Sequence, residues 1–297
     1  MKPRVLVTGA SGFVARALVP RLLDHATVTL LLLEEFGSSV PLSGPLQKAR
    51  QQVDAVYADL RNYQLTARAV RQAKPDHVIH LAAAGVTDPF LNVHTAVSHN
   101  ITGTLNLLRA CFEAETDTRQ VVVARTPGER TAMNVYAASK AAAWAFCEMY
   151  ARTAGWPIQG AMIFQAYGPG QPPHLLIPAA LRAALAGEDF PMTAGDQTKD
   201  WTHVDDVANG FLALLQADLP PGRTVELGTG QATGVLDVVK RLYALAGRGG
   251  QPLPGTLAGR PGEQLQQVAD AVATAEQIGW QARISLADGL AQLVAAR

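Results

Sequence analysis

Arg4-Val5-Leu6-Val7-Thr8-Gly9-Ala10-Ser11-Gly12-Phe13-Val14-Ala15 is the stretch whose reading decides the fold. A short apolar strand runs into a glycine turn, and a helical pattern follows to about Leu23. Gly9 permits a tight turn. Gly12, with Ser11, Phe13 and Val14 beside it, lets backbone N–H groups approach a pyrophosphate at the helix start. Ala15 fills the third small position, which close packing of helix on strand requires. A glycine pattern alone is weak; a strand before it and a helix after it make a dinucleotide-binding start.

The same alternation continues along the chain. Val28 to Leu33 reads as a second strand ending at Glu34-Glu35. An acidic residue about 20 positions past the glycines accepts hydrogen bonds from adenosine ribose hydroxyls and repels a 2′-phosphate, so Glu34 favours NAD. Arg50 or Arg61 folded over the site would admit NADP instead, and that alternative stays open. Residues 36–52 read as a loop with at most one helical turn. Val53 to Tyr57 is a third strand leading to Asp59 and Leu60 at the cofactor; Asp59 suits an adenine amino group or the cap of a helix over residues 62–73. Pro75 to Ala84 reads as a fourth strand whose end, Leu81-Ala82-Ala83, is small enough to pass close to a cofactor. Residues 93–115 read as one long helix on which Asn100 needs a buried partner. Val121 to Thr126 is the fifth strand. Strands alternating with helices predict an α/β, Rossmann-type doubly wound parallel sheet with helices on both faces. Ligands of such sheets sit beyond the strand C-termini, where Gly9, Glu34, Asp59, Ala82 and Thr126 all fall.

Tyr136-Ala137-Ala138-Ser139-Lys140 follows that fifth strand. Residues four apart share a helix face, so the phenol and the ammonium project side by side. An ammonium favours the phenolate, and lowering a tyrosine from about 10 to about 7 takes roughly 4 kcal/mol of differential stabilisation. Tyr136 is therefore expected to act as a general acid/base near neutrality.

Composition narrows the class. The 297 residues are 48% hydrophobic and 17% charged, enough for one large core or a main domain with a smaller one attached. Lys+Arg and Asp+Glu both number 25, and no basic run points to nucleic acid or an anionic membrane. Cys111 and Cys147 lie in apolar helical runs with no Cys-x-x-Cys pair, which suits a reducing cytoplasm. Neither a signal peptide nor a membrane span is expected. The histidines are scattered and no metal site is expected.

Beyond residue 165 the pattern changes. A helix is expected over Leu175 to Gly187, a polar loop over Phe190 to Asp200, a helix over Trp201 to Gln216 and a strand over Thr224 to Leu227. Residues 246–262 read as a Gly- and Pro-rich loop, with Arg260 suited to a bidentate grip on a diphosphate.

These motifs together resemble the extended short-chain dehydrogenase/reductase family, which contains nucleotide-sugar epimerases, dehydratases and ketoreductases. The likeness runs from residue 4 to about 290. It includes Thr8-Gly9-x-x-Gly12, Asp59, His80-Leu81-Ala82-Ala83, Asn100-x-x-Gly103-Thr104, Tyr136-x-x-x-Lys140, Tyr167-Gly168-Pro169-Gly170-Gln171, Asp200-Trp201-Thr202-His203-Val204-Asp205-Asp206-Val207, Leu227-Gly228-Thr229-Gly230 and Arg260-Pro261-Gly262-Glu263. The resemblance implies Tyr136 as acid/base, Lys140 as its partner on the nicotinamide ribose, and Thr126 as the hydroxyl that orients the reacting alcohol or ketone. It implies Asn100 and Gln165 at the cofactor, and Gln165, Lys199 and Arg260 at the substrate. It also implies a nucleotide-binding domain over 1–165, with a helix and strand from about 203–228 returning to it. A mainly substrate-binding domain over 166–297 and a homodimer through the helices at about 99–115 and 136–154 complete the picture.

Three departures stand out. Thr126 lies only ten residues before Tyr136, where relatives carry a longer lid. Met162, Gln165 and Lys199 stand where relatives carry Arg, Asn and Arg. Pro127-Gly128-Glu129 stands where dehydratases carry Asp-Glu, so dehydration is not expected. The resulting expectation is an NAD-dependent nucleotide-sugar epimerase acting at C4. The alternatives are an NAD(P)H-dependent 4-ketoreductase of deoxysugar synthesis and a catalytically inactive dinucleotide-binding protein.

Overall fold

The computed structural model describes residues 2–33, 44–86, 88, 90–114, 116–259 and 264–296. The chain divides into two compact units, Met1–Met162 with Phe211–Val225, and Ile163–Gly210 with Glu226–Arg297.

The first unit is built on β1 (Arg4–Thr8), α1 (Phe13–Leu22), β2 (Thr27–Leu32), α2 (Gly44–Lys48), β3 (Val53–Tyr57), α3 (Tyr63–Ala73) and β4 (His77–His80). It continues through α4 (Val93–Ala96), α5 (Gly103–Phe112), β5 (Gln120–Arg125), α6 (Val135–Ala154) and β6 (Ile158–Ile163). Its seven-stranded sheet runs β10-β6-β5-β4-β1-β2-β3, where β10 is Thr224–Leu227. β1 pairs in parallel with both β2 and β4. The strand order therefore reverses at β1, the topological switch point at which such sheets bind ligands. The strands are near-continuous apolar runs because both faces of a parallel sheet are covered. Leu6, Val78, Val121 and Ile158 pack there with Leu107, Leu108, Cys111, Trp144 and Cys147. Burial pushes the thiols of Cys111 and Cys147 up to about 12, which leaves both unreactive.

Two expected elements are shorter. The helix expected over 93–115 is interrupted by a π-helical segment, Val97–Thr102, between α4 and α5. The widened turn carries Asn100, whose inward-facing amide is used as described below. The fourth strand stops at His80, after which Leu81–Ala84 leave the sheet.

The second unit contains β7 (Gln165–Tyr167), α7 (Leu176–Ala186), β8 (Phe190–Pro191), β9 (Thr198–His203), β11 (Ala232–Gly234), α9 (Val235–Ala246), β12 (Pro252–Leu253), β13 (Gln266–Gln267), α10 (Ala271–Ile278) and α11 (Leu286–Ala295). The helix α8 (Val204–Gln216) begins in this unit and ends in the first. Its core joins Tyr167, Ile177, Leu181, Trp201, Val239, Leu242 and Leu290.

The polar loop expected over 190–200 and the helix start at Trp201 are corrected. Residues 198–203 form a buried strand paired with β7, β11 and β13. Its polar groups are satisfied internally. The buried Asp200 carboxylate accepts from Thr229 N at 2.8 Å, Thr229 Oγ1 at 2.6 Å, Gly230 N at 2.8 Å and Ala269 N at 3.2 Å. Those donors come from distant parts of the chain, so the polar run reads as a loop when taken locally.

Candidate active site

The glycine turn after β1 forms a tight cradle. Gly9 has φ +65°, and a Cβ there would lie 2.6 Å from Ala82 N, so the turn and the exit of β4 run backbone against backbone. Gly12 N donates to Gly9 O at 2.9 Å. Gly12 stands at the N-cap of α1, which has neither a side-chain cap nor an acidic residue in its first turn. Among the described residues, no side chain caps the first N–H groups of this ten-residue helix, which fits a diphosphate. Gly9→Ala is expected to cost at least about 1–2 kcal/mol from the left-handed backbone alone. It should also strip the purified protein of NAD, as read by denaturant melts and by cofactor content.

A hydrogen-bond chain ties this cradle to the π-helical segment. Ala82 N–H donates to Thr8 Oγ1 at 3.2 Å, and Thr8 Oγ1 lies 2.7 Å from His80 Nδ1. His80 Nε2 lies 2.9 Å from Thr104 Oγ1, whose proton goes to Asn100 O at 2.6 Å. Thr104 must therefore accept from His80, so Nε2 carries the proton and Nδ1 accepts from Thr8. Burial first, and the Lys140 charge second, pull the His80 pKa down to about 3.

Asn100 is the hub of the next layer. Its Oδ1 accepts from Ala84 N at 2.7 Å, and its amide hydrogens go to Ala84 O at 3.0 Å and Ser139 Oγ at 2.9 Å. Ser139 Oγ in turn donates to Tyr136 O at 2.7 Å. Asn100 was expected at the cofactor. Its bonds tie the segment after β4 to the first turn of α6, and its place at the cofactor stays an expectation.

Asn134 caps α6 by accepting from Ala137 N at 2.8 Å, and alanine-rich sequence carries the helix on to Gly155. Tyr136 and Lys140 sit on its first two turns, the lysine buried and the tyrosine partly so. Thr126 directly follows β5 and stands at the N-cap of a single 3-10 turn, Pro127–Arg130. Ala132, at φ +47°, takes the left-handed backbone that so short a connection to α6 demands. Thr126 N donates to Glu129 Oε1 at 2.9 Å, and Arg125 holds Glu129 Oε2 through Nε and Nη2, both at 2.8 Å. Arg125 also reaches Thr224 Oγ1 at 2.8 Å and stacks over Trp144 at 4.3 Å.

The expected pull of Lys140 on Tyr136 is corrected. Burial, and then the Glu129 charge, raise the Tyr136 phenol above its ordinary value, so it rests protonated. Burial lowers Lys140 while Glu129 opposes that shift. Helical spacing puts the lysine beside the phenol, but the buried carboxylate reaches both from a separate turn of the chain.

Asp59 lies at the end of β3, beside an open groove of about 770 Å³ lined in part by Asn62, Tyr63, His94 and His99. Its alternative as the cap of α3 is corrected: Asn62 caps that helix by accepting from Leu65 N at 3.1 Å. Asp59 instead binds Arg61, with Nη2 at 2.5 Å from Oδ2 and Nε at 3.0 Å from Oδ1, and Arg61 holds its carboxyl below the usual range. Arg61, the candidate for a 2′-phosphate, is thus committed to Asp59. Leu60 is held through its carbonyl by Asn106 Nδ2 at 2.8 Å.

Gln165 and Lys199 belong to the second unit. Gln165 is exposed on β7. Lys199 is buried, its ammonium 3.2 Å from Gln264 O and 3.3 Å from Gln267 Oε1. Glu34 and Arg260 lie outside the described residues. Among the described residues, no helix is long and apolar enough to cross a membrane and no cluster suits a metal ion.

The pattern of cradle, switch point and Tyr-x-x-x-Lys helix matches the model of the NAD dependent epimerase/dehydratase family over residues 5–228. The chain belongs to this family. It is accordingly an NAD-dependent enzyme of the short-chain dehydrogenase/reductase type. It is 29% identical to a UDP-glucose 4-epimerase of Mycolicibacterium smegmatis, over 98% of this chain and 97% of that one. It is 27% identical to a dTDP-glucose 4,6-dehydratase of Xanthomonas campestris, over 97% and 91%. Among solved structures, a Thermus thermophilus UDP-glucose 4-epimerase in complex with NAD superposes with a TM-score of 0.79 at 27% identity, covering 98% of each chain.

Proposed function

We propose that this protein is a nucleotide-sugar 4-epimerase in which Tyr136 moves the proton of the reacting hydroxyl. The observation that carries the reading is the set Thr126, Tyr136 and Lys140 at the C-terminal end of β5 and the start of α6, in the same unit as the Gly9 cradle. NAD, when bound, supplies a hydride acceptor and the positive charge of its oxidised ring. A positive charge brought to the phenol lowers its pKa, so that its oxygen becomes a base for the sugar hydroxyl. Lys140 holds positive charge behind it, and Thr126 offers a hydroxyl to orient the reacting oxygen. Returning the proton from Tyr136 to the other epimer completes the cycle, with no net redox change.

Dehydration is the less fitting activity of the family. Pro127 and Gly128 carry no ionisable group, and the Glu129 carboxylate is engaged by Arg125 and Thr126 N. Incubation with UDP-glucose and with dTDP-glucose, without added reductant, is expected to yield the 4-epimer of at least one. Absence of product from both would remove the proposal.

A 4-ketoreductase is the second reading, motivated by the short segment between Thr126 and Tyr136 and by Met162, Gln165 and Lys199, which depart from the residues that relatives carry there. It predicts stoichiometric consumption of NADH or NADPH with a 4-keto sugar nucleotide, which an epimerase does not require.

A further inference from the structure

Glu129 falls within the shortened segment between Thr126 and Tyr136, and no role follows for it from the family. Its side chain is only 2% exposed, and that of Arg125 only 13%. One carboxylate oxygen takes the Thr126 backbone N–H and the other takes the Arg125 fork, while Thr126 and Glu129 together close a reciprocal capping box. The 3-10 turn that carries Glu129 packs against α6, the helix of Tyr136 and Lys140.

We propose that Glu129 is a positioning residue of the reaction centre: held by Arg125, it fixes Thr126 from behind and sets a fixed charge against α6. This rests on the roles given above to Thr126 and Tyr136. The geometry makes the carboxylate a strut and not a proton carrier, since both its oxygens are engaged. Its charge reaches both Tyr136 and Lys140 and raises each of them. The other ionisable groups acting on Lys140 are Cys147 on α6, which raises it, and Arg125 on β5, which lowers it, while Lys140 itself lowers the buried His80 on β4.

Glu129→Gln alone would leave Arg125 buried without its anion and endanger folding. The test therefore uses Arg125→Met/Glu129→Gln and Arg125→Met/Glu129→Ala, which remove both charges. In the Gln variant, an amide oxygen still accepts from Thr126 N. Its kcat is expected to fall about tenfold with KM within about twofold. Loss of the negative charge should also move the acidic limb of its pH–rate profile to lower pH. In the Ala variant the Thr126 amide should exchange with solvent at least about tenfold faster than in the parent, while amides in the middle of α6 stay unchanged. An unmoved pH profile, or unchanged Thr126 exchange, overturns the proposal. Amide exchange needs no substrate, so failure of this inference is separable from failure of the epimerase reading, which would show as an inactive parent.

Discussion

Tyr136→Phe is expected to lower kcat by about 10²–10⁴-fold while leaving the fold, NAD content and KM close to those of the parent. The substitution removes one oxygen and nothing else from a side chain whose backbone carbonyl, not its phenol, is tied to Ser139. If the phenol carries the proton of the reacting hydroxyl, no neighbour replaces it. Lys140 is buried on the next turn, and the Glu129 carboxylate is engaged by Arg125 and by Thr126 N. The loss corresponds to roughly 3–5 kcal/mol of transition-state stabilisation. Stability should hold or rise slightly, because the phenol is raised in pKa mainly by burial and the variant buries one polar atom fewer. Steady-state kinetics with thermal melts of both proteins check this. Parent-like turnover in the variant would take the chemistry away from Tyr136.

Acid should act on this protein through His80. The buried imidazole titrates near 3 instead of its ordinary 6.5, so the unfolded chain binds a proton that the native state refuses. Its contribution to stability is therefore complete above pH 6.5 and is lost progressively as pH falls towards 3. Over that range the loss amounts to roughly 4–5 kcal/mol. Protonation would also place a donor on Nδ1 against Thr8 and break the chain from Ala82 to Asn100. His80→Gln retains one donor and one acceptor but does not titrate. Urea melts across pH 7 to 4 should show a steeper loss of stability in the parent than in His80→Gln. Parallel pH dependence in the two would show that His80 is not the sensitive group.

What was legible in the sequence was local. The strand, Gly9 turn and helix α1 lie within about 20 consecutive residues, and Tyr136 and Lys140 share a face by helical spacing alone. Strand β9 was missed because Asp200 is satisfied by Thr229, Gly230 and Ala269, which no local pattern reveals. The direction of the Tyr136 shift was missed for the same reason, since burial and the Glu129 charge from a separate turn of the chain set it. Glu129 did carry a signal: Thr126-x-x-Glu129 has the spacing of a capping box. Asn100 was rightly read as needing a buried partner, but its partners, Ala84 and Ser139, depend on the π-helical segment that the apolar pattern of 93–115 conceals.

The most direct measurement of the central claim follows deuterium at C4 of the sugar. With UDP-glucose deuterated at that carbon as substrate, no added reductant and Tyr136 intact, the expected product is a 4-epimer that keeps its deuterium at C4. The hydride leaves and returns within one site, and only the hydroxyl proton exchanges. Epimer with C4 deuterium lost to solvent, or no epimer at all, would contradict it.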